Sequence, residues 1–461
     1  VKTLAENTVG APELNARGVA LHQQRDLVGA RLHYAAAIEA DPDCASALAN
    51  LCALMLDLEL FDAAVVAASR AVRIKPDSMS YAENLGNALW RSDRYEEAIA
   101  ELRRSVTMTD TFGARHNLGL CYIALSRFDE GIAELKRAAH LIKHSRTPVP
   151  DRCRIDVRAD LSFALLGSGR LEEGFTANED RWDRLAPHPV QRCGLPAWDG
   201  KNPAGKTIIV HHEQGFGDTL QFCRYLPMLR DAGAYVVFAG PSDLMGVIEA
   251  SGLADQVLDH DKMMPRADYR CALMSLPHFF GTKLGTIPPS GYLRAPFGKI
   301  KVERRPGTKV AVGMVWATNR IELGAQKRCV GLPNLLRLAE APGVELFSLQ
   351  FGAGRADINR YGAESLVTDL GARFTSFSDT ADAIAQLDAV VSVDTSVLHL
   401  AAGMGKPTLC AFPFSNCWRW MGRGKARSPW YDSARLFWQD KPGNWTPVVD
   451  GIAKEVATLC R

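Results

Sequence analysis

Residues 207–220 read TIIVHHEQGFGDTL: a β-branched apolar run, two histidines and an acid, two glycines, and an aspartate that opens a helical pattern. Such a run, closed by a glycine turn and followed at once by helix periodicity, is a strand, loop and helix in succession. Gly215 and Gly217 permit tight or positive-φ backbone, so the turn is expected to be sharp and to present bare N–H groups where the helix begins. Gln214, Gly215, Gly217 and Asp218 are therefore candidate site residues, whereas His211, His212 and Glu213, nearer the strand, are expected mainly to pack or bond locally.

Downstream the same texture recurs. YVVFAG (235–240) and YRCALM (269–274) supply further strands, and a helix is expected from about Thr219 to Arg230. After a proline-marked break at TIPPSGYLRAP (286–296) and the polar run GKIKVERRPGTK (298–309), a second set follows: VAVGMVW (310–316), ELFSLQ (345–350), AVVSVD (389–394) and PTLCAF (407–412). Short buried runs alternating with helical segments predict α/β architecture with two open parallel sheets. Ligands bind outside the C-terminal ends of such strands. There stand HEQGFGD (212–218), WATNR (316–320), SLQFGAG (348–354) and DTSVLH (394–399).

The last loop carries the most chemistry. Asp394 ends a buried strand, and Thr395 and Ser396 open a helix whose hydroxyls and free N–H groups suit an anion such as a diphosphate. His399, four residues after Thr395, lies on the same helical face. Alternatively these residues are a helix cap and a satisfied core histidine. Arg419, Arg423 and Lys425, in the locally basic WRWMGRGKARSPWYDSAR (418–435), are candidate phosphate ligands, since arginine offers a planar fork and lysine a point charge; by itself the stretch reads equally as a solvated loop with aromatic anchors. Gln214 and Gln350 are candidates for sugar or ribose.

Upstream, Gly18, Cys52 and Gly86 are 34 residues apart and Gly119 follows 33 later. Twelve residues beyond each stand Ala30, Ala64, Ala98 and Gly131, while Pro42 and Pro76 close the first two units and Asp110 takes that place in the third. Small residues where paired helices touch, and proline where the second must stop, define a helix-turn-helix repeat. Asn50, Asn84 and Asn117 recur just before the small position, where an amide either faces the groove and bonds an extended peptide or is solvated or bonded within the helix pair. A fifth, looser unit, DLSFALLGSGRLEEGFTANEDRW (160–182), follows an irregular stretch.

The chain has 461 residues, 47% hydrophobic and 23% charged, with a formal net charge of +2. This gives no case for disorder and none for nucleic acid or membrane as partner. Eleven cysteines occur without a CxxC pair, several inside apolar helical patterns, favouring buried reduced thiols over disulfides or zinc. No run of eighteen apolar residues and no secretory leader is read, so a cytoplasmic protein without a transmembrane segment is expected. As the chain begins at Val1, a preceding segment is left open.

The repeats resemble the tetratricopeptide repeat, most clearly in NLGNALWRSDRYEEAIAELRRS (84–105) and NLGLCYIALSRFDEGIAELKRA (117–138). The remainder, through residues 199–238, VGMVWATNR, LFSLQ, VVSVDTSVLHLAAGMGKPTLCAF and WRWMGRGKARSPWY, resembles the catalytic part of bacterial tetratricopeptide-repeat glycosyltransferases. That part is similar to the heptosyltransferase family and more distantly to the O-linked N-acetylglucosamine transferase family. The resemblance implies a tetratricopeptide superhelix over 1–185, a linker over 186–204, and a GT-B-like pair of Rossmann-like domains over 205–300 (acceptor side) and 301–461 (nucleotide-sugar side). It implies Asp218 as the base that deprotonates the acceptor hydroxyl. Asp394, Thr395, Ser396 and His399 then hold the donor diphosphate, with a nucleotide sugar as co-substrate, no other cofactor and no catalytic metal. A polypeptide acceptor in the repeat groove, flagellin-like in some relatives, is the expected partner, with a saccharide or lipid-linked acceptor, or a scaffold without turnover, as alternatives. One departure concerns VWATNRIELGAQKRCVGL (315–332): Asn319 is kept, Thr318 replaces a glycine, and Cys329 replaces a serine after Arg328. Lys327 and Arg328 remain candidate phosphate ligands.

Overall fold

The structure is a computed structural model and describes residues 9–183, 194–296, 298–318, 325–415 and 417–460. It divides into two compact units, Val1–Leu165 and Leu166–Arg461. The first contains four packed helix pairs: α1 (Ala11–Gln23) with α2 (Leu27–Ala40), α3 (Ala45–Asp57) with α4 (Phe61–Ile74), α5 (Met79–Arg91) with α6 (Tyr95–Met108), and α7 (Phe112–Ala124) with α8 (Phe128–Lys143). The small residues do the work read from them. A Cβ on Gly86 would stand 2.4 Å from Leu102 Cγ, and one on Gly119 2.7 Å from Leu135 Cγ, while Ala30, Ala64 and Ala98 are fully buried opposite.

The turn inside each pair has its own period. Arg25, Glu59, Asp93 and Ser126 all have φ of 61–63°, and the next residue's N–H returns to the carbonyl five positions back. Four non-glycine residues thus make a left-handed helix end of the kind glycine usually makes. Arg70 and Arg104 donate to the carbonyls of Pro42 and Pro76, and Arg137 to the Asp110 carboxylate, so the acid that replaces proline is tied by the equivalent arginine.

α9 (Asp151–Gly167) and α10 (Leu171–Asn178) follow, the latter within the second unit, and a 3-10 turn over Glu179–Asp183 ends the helical region. The second unit contains two sheets. One is β3-β2-β1-β4, from β1 (Thr207–His211), β2 (Tyr235–Gly240), β3 (Gln256–Asp259) and β4 (Tyr269–Ala272). The other is β10-β9-β8-β5-β6-β7, from β5 (Val310–Val315), β6 (Val344–Ser348), β7 (Val367–Asp369), β8 (Ala389–Ser392), β9 (Thr408–Phe412) and β10 (Ala434–Trp438). All ladders are parallel.

The central strands β5, β8 and β9 are buried end to end. β3, β7 and β10, which the sequence did not announce, are edge strands with partly exposed residues, so they lack the continuous apolar run that marks a two-sided buried strand. The helix expected over 219–230 is in pieces: α11 (Phe216–Phe222), a 3-10 turn at Cys223–Tyr225 and α12 (Leu226–Asp231). Pro227 explains the break, since it has no N–H to give and its ring presses on the carbonyl four residues earlier. Strand order reverses between β1 and β4 in one sheet and between β5 and β8 in the other, and crevices open at such points. Helices followed by two parallel sheets make a helical repeat array and a GT-B-like α/β fold.

Candidate active site

Three of the loops that the sequence singled out follow strands at these crevices. The β1 loop enters α11. The β5 loop continues through Trp316 to Thr318. The β8 loop enters α18 (Ser396–Gly403). They line one cavity of about 730 Å³ together with α17 (Phe377–Gln386) and the loop after β9.

On the β1 side the backbone differs from expectation. The left-handed residue is Gln214, at φ 60°, not either glycine. Gly217 is required for another reason: a Cβ there would lie 2.9 Å from His399 Cδ2 and 3.6 Å from Ser396 Cα, so its absence lets α11 and α18 meet. Asp218 Oδ2 accepts the Gly215 N–H at 2.9 Å, and Oδ1 is ion-paired with Arg419. Arg419 is almost fully buried over the Trp418 ring, and its remaining donors reach Gln221 Oε1 (2.7 Å) and Cys417 Sγ (2.9 Å).

On the β8 side the opening is different. Thr395 is the N-cap of α18 but makes no side-chain cap, its Oγ1 lying 3.1 Å from Ser392 Oγ. The neighbouring α17 is closed by its own residues, with Asp379 accepting from Thr375 and Ser376, and Ser376 from Ser378. Among these two helices, then, α18 presents the uncapped N-terminus to the cavity. Burial raises the Asp394 carboxyl above its ordinary value, an effect that Arg419 and Arg328 oppose. His399 is driven well below the ordinary histidine range, by burial first and then by Arg419 and Arg224, so the ring is neutral. Its Nδ1 meets Tyr431 Oη at 2.8 Å, its face stacks on Trp420, and Nε2 lies 3.9 Å from Asp394.

The cavity gathers Gln214, Gly215, Gly217, Asp218, Thr318, Arg328, Gln350, Asp394, Thr395, Ser396, His399 and Arg419. Gln350 spends its amide on the β5 loop and its own: Oε1 accepts from the Trp316 and Ala317 N–H groups, and Nε2 donates to the Ala317 and Phe351 carbonyls. Lys327, Arg423 and Lys425 do not line the cavity. Arg423 instead lies 3.6 Å over the Phe414 ring, and the Lys425 carbonyl accepts from Trp438. Asn319 lies outside the described residues, as do residues 186–193 of the 186–204 linker. In the first unit Asn50 donates to Asn15 at 2.9 Å, while Asn84 and Asn117 are half-buried.

Several participants escaped the sequence reading. Phe216, Phe351, Phe374 and Phe377 give the cavity an aromatic wall, Phe216 meeting Phe377 edge-on at 5.4 Å. Arg224, 2% exposed, donates to the Pro288 and Trp430 carbonyls and to Tyr292 Oη, with its guanidinium over the Tyr292 and Tyr431 rings. It ties the 3-10 turn after α11 to the loop that precedes β10. An arginine inside the apolar pattern of QFCRYLP was the only signal.

Residues 352–445, which include the β8 and Arg419 loops, match the family "Glycosyltransferase family 9 (heptosyltransferase)". The chain carries a heptosyltransferase-family domain. Residues 57–138 match "Anaphase-promoting complex, cyclosome, subunit 3", within tetratricopeptide-like repeats. Protein FlbA of Caulobacter vibrioides is 26% identical over 322 residues, covering 63% of this chain and 53% of that protein, so the chain spans about half the length of this curated relative. Among solved structures, a MamA protein is 21% identical and covers 38% of this chain and 98% of its own (TM-score 0.33). PilW, a type IV pilus biogenesis factor, is 22% identical and covers 39% and 80% (TM-score 0.34). Among the described residues no helix is long and apolar enough to cross a membrane.

Proposed function

We propose that the second unit transfers a sugar from a nucleotide-sugar donor to a hydroxyl acceptor, and that the acceptor is a polypeptide captured by the repeat array. The observation that carries the reading is one cavity with a carboxylate on one wall and an uncapped helix N-terminus on the other. Asp218 takes the acceptor proton and the oxygen attacks the anomeric carbon. The nucleoside diphosphate leaves toward the first turn of α18, where N–H groups, Thr395, Ser396 and Arg328 meet the developing charge. Offset of charge by dipoles and guanidinium groups lets the reaction run without a catalytic metal. A single displacement inverts the anomeric centre, since one carboxylate acts as base and no second one is assigned as nucleophile. His399, neutral and fixed by Tyr431, offers Nε2 to the donor.

The test is calorimetry with uridine, guanosine, adenosine and cytidine nucleotide sugars, repeated with Asp394→Ala and Thr395→Ala, then a transfer assay with the donor so chosen. Selective binding lost in both variants supports the reading; no binding by any of the panel overturns it for common donors. A saccharide or lipid-linked acceptor is the second reading, favoured by the heptosyltransferase match. Label appearing on a glycan and not on a protein would select it. A flagellin-like acceptor is supported by the tetratricopeptide-glycosyltransferase resemblance alone.

A further inference from the structure

The 3-10 turn after α10 ends the helical region in sequence, yet its side chains reach the catalytic loops. Arg181, 7% exposed, forms a fork onto Glu213, 4% exposed, with Nε–Oε2 2.7 Å and Nη2–Oε1 2.8 Å. Nη2 also donates to Ser275 Oγ (2.8 Å), and Nη1 to Glu179 Oε1 (2.7 Å) and the Asn178 carbonyl (3.1 Å). Glu213 Oε1 further accepts the Met274 N–H at 2.9 Å, from the loop after β4. Glu213 is therefore tied both to the helical segment and across the β1/β4 crevice. A buried pair of this kind holds only while every partner is filled, because either charge left alone is strongly disfavoured.

From Glu213 the constraint runs without a gap. The next residue, Gln214, is in the left-handed region, which a side chain with a Cβ resists unless its surroundings enforce it. The residue after that, Gly215, donates its N–H to the Asp218 carboxylate. Two residues of backbone, one of them left-handed, therefore separate Glu213 from the N–H that Asp218 accepts.

We propose that Arg181 is a positioning residue for the transfer reaction, acting through Glu213 on the loop that presents Asp218; this rests on the reading of Asp218 as base. The guanidinium fork, not charge alone, is what fixes Glu213, so lysine does not replace it.

The test uses the full chain with Arg181→Lys, and Glu213→Gln as a second variant that keeps the shape and the acceptor for Met274. Amide hydrogen exchange of peptides covering 212–222 and 394–405 is compared with wild type. Expected is acceleration of about tenfold or more over 212–222, with 394–405 within about twofold. Donor Kd stays within about twofold while kcat falls about thirtyfold, and Arg181→Lys adds little to Glu213→Gln. Unchanged exchange over 212–222, or equal acceleration of both peptides, overturns the proposal. If wild type transfers no sugar, the reading of Asp218 falls instead, and the exchange comparison still decides whether Arg181 holds the loop.

Discussion

The openings of α11 and α18 face one cavity from two sheets, each after a central strand at a switch point, yet they are finished in opposite ways. At α11 the acid belongs to the helix: Asp218 accepts the N-cap N–H of Gly215 and pairs with Arg419. At α18 the N-cap threonine turns back to Ser392 and leaves the first turn uncapped, with a buried acid whose ionisation is disfavoured and a histidine held neutral. On the function proposed above, one opening keeps a carboxylate in place and the other receives an anion. The same local element, strand then polar loop then helix, takes either role according to whether its own side chains already satisfy the helix end.

The comparison is broken most directly at Asp218. Asp218→Asn keeps the shape and the Gly215 contact, so transfer is expected to fall about 1,000-fold while donor affinity by calorimetry stays within about threefold. Loss of donor binding alongside transfer would mean that both openings serve the donor. At the other opening, Ser396→Glu places a fixed negative charge in the first turn. Donor Kd is expected to rise about 100-fold with the melting temperature nearly unchanged, and an unaltered Kd would remove the diphosphate from α18.

Gly217→Ala tests the contact between the openings. The new methyl would press on His399, a ring fixed by Tyr431 and Trp420, so a loss of about 1–3 kcal/mol in the second unit is expected from denaturant unfolding, with weakened donor binding. The smallest effect is in pH dependence. His399 is neutral when folded, whereas the unfolded ring gains its proton near pH ~6.5, so this group's stability contribution is full above that value and is lost as pH falls below it. Asp394 has the opposite sign: its folded value is raised, so its burial costs stability as pH rises through that value. His399→Gln should flatten the fall in melting temperature between pH 7 and 5. Asp394→Asn should raise the melting temperature at pH 7 by a few degrees, an advantage that shrinks toward pH 4.

Legibility followed burial and local chemistry. Gly86, Gly119 and the alanines opposite them were readable because helix contact at a fixed period forces small residues into fixed places. β5, β8 and β9 were readable as continuous apolar runs, and Asp218, Asp394 and Thr395 because polar residues stood directly after such runs. The basic stretch 418–435 was only half readable: Arg419 faces the cavity, while Arg423 lies on Phe414 and residues 434–438 form an edge strand. An alternation of arginine and tryptophan has no period that says which residue points inward.

By itself the sequence determined the repeat, the parallel sheets and the loops that carry polar residues, since each follows from periodicity or from interruption of an apolar run. The tertiary structure alone decided that Gln214, not a glycine, takes the left-handed turn; that Gly217 lets α11 meet His399; and that Arg181, Arg224 and Arg419 are buried on partners remote in sequence. The last two concern partners 32 to 206 residues apart in the chain, whose meeting is set by packing of whole elements and leaves no local pattern behind.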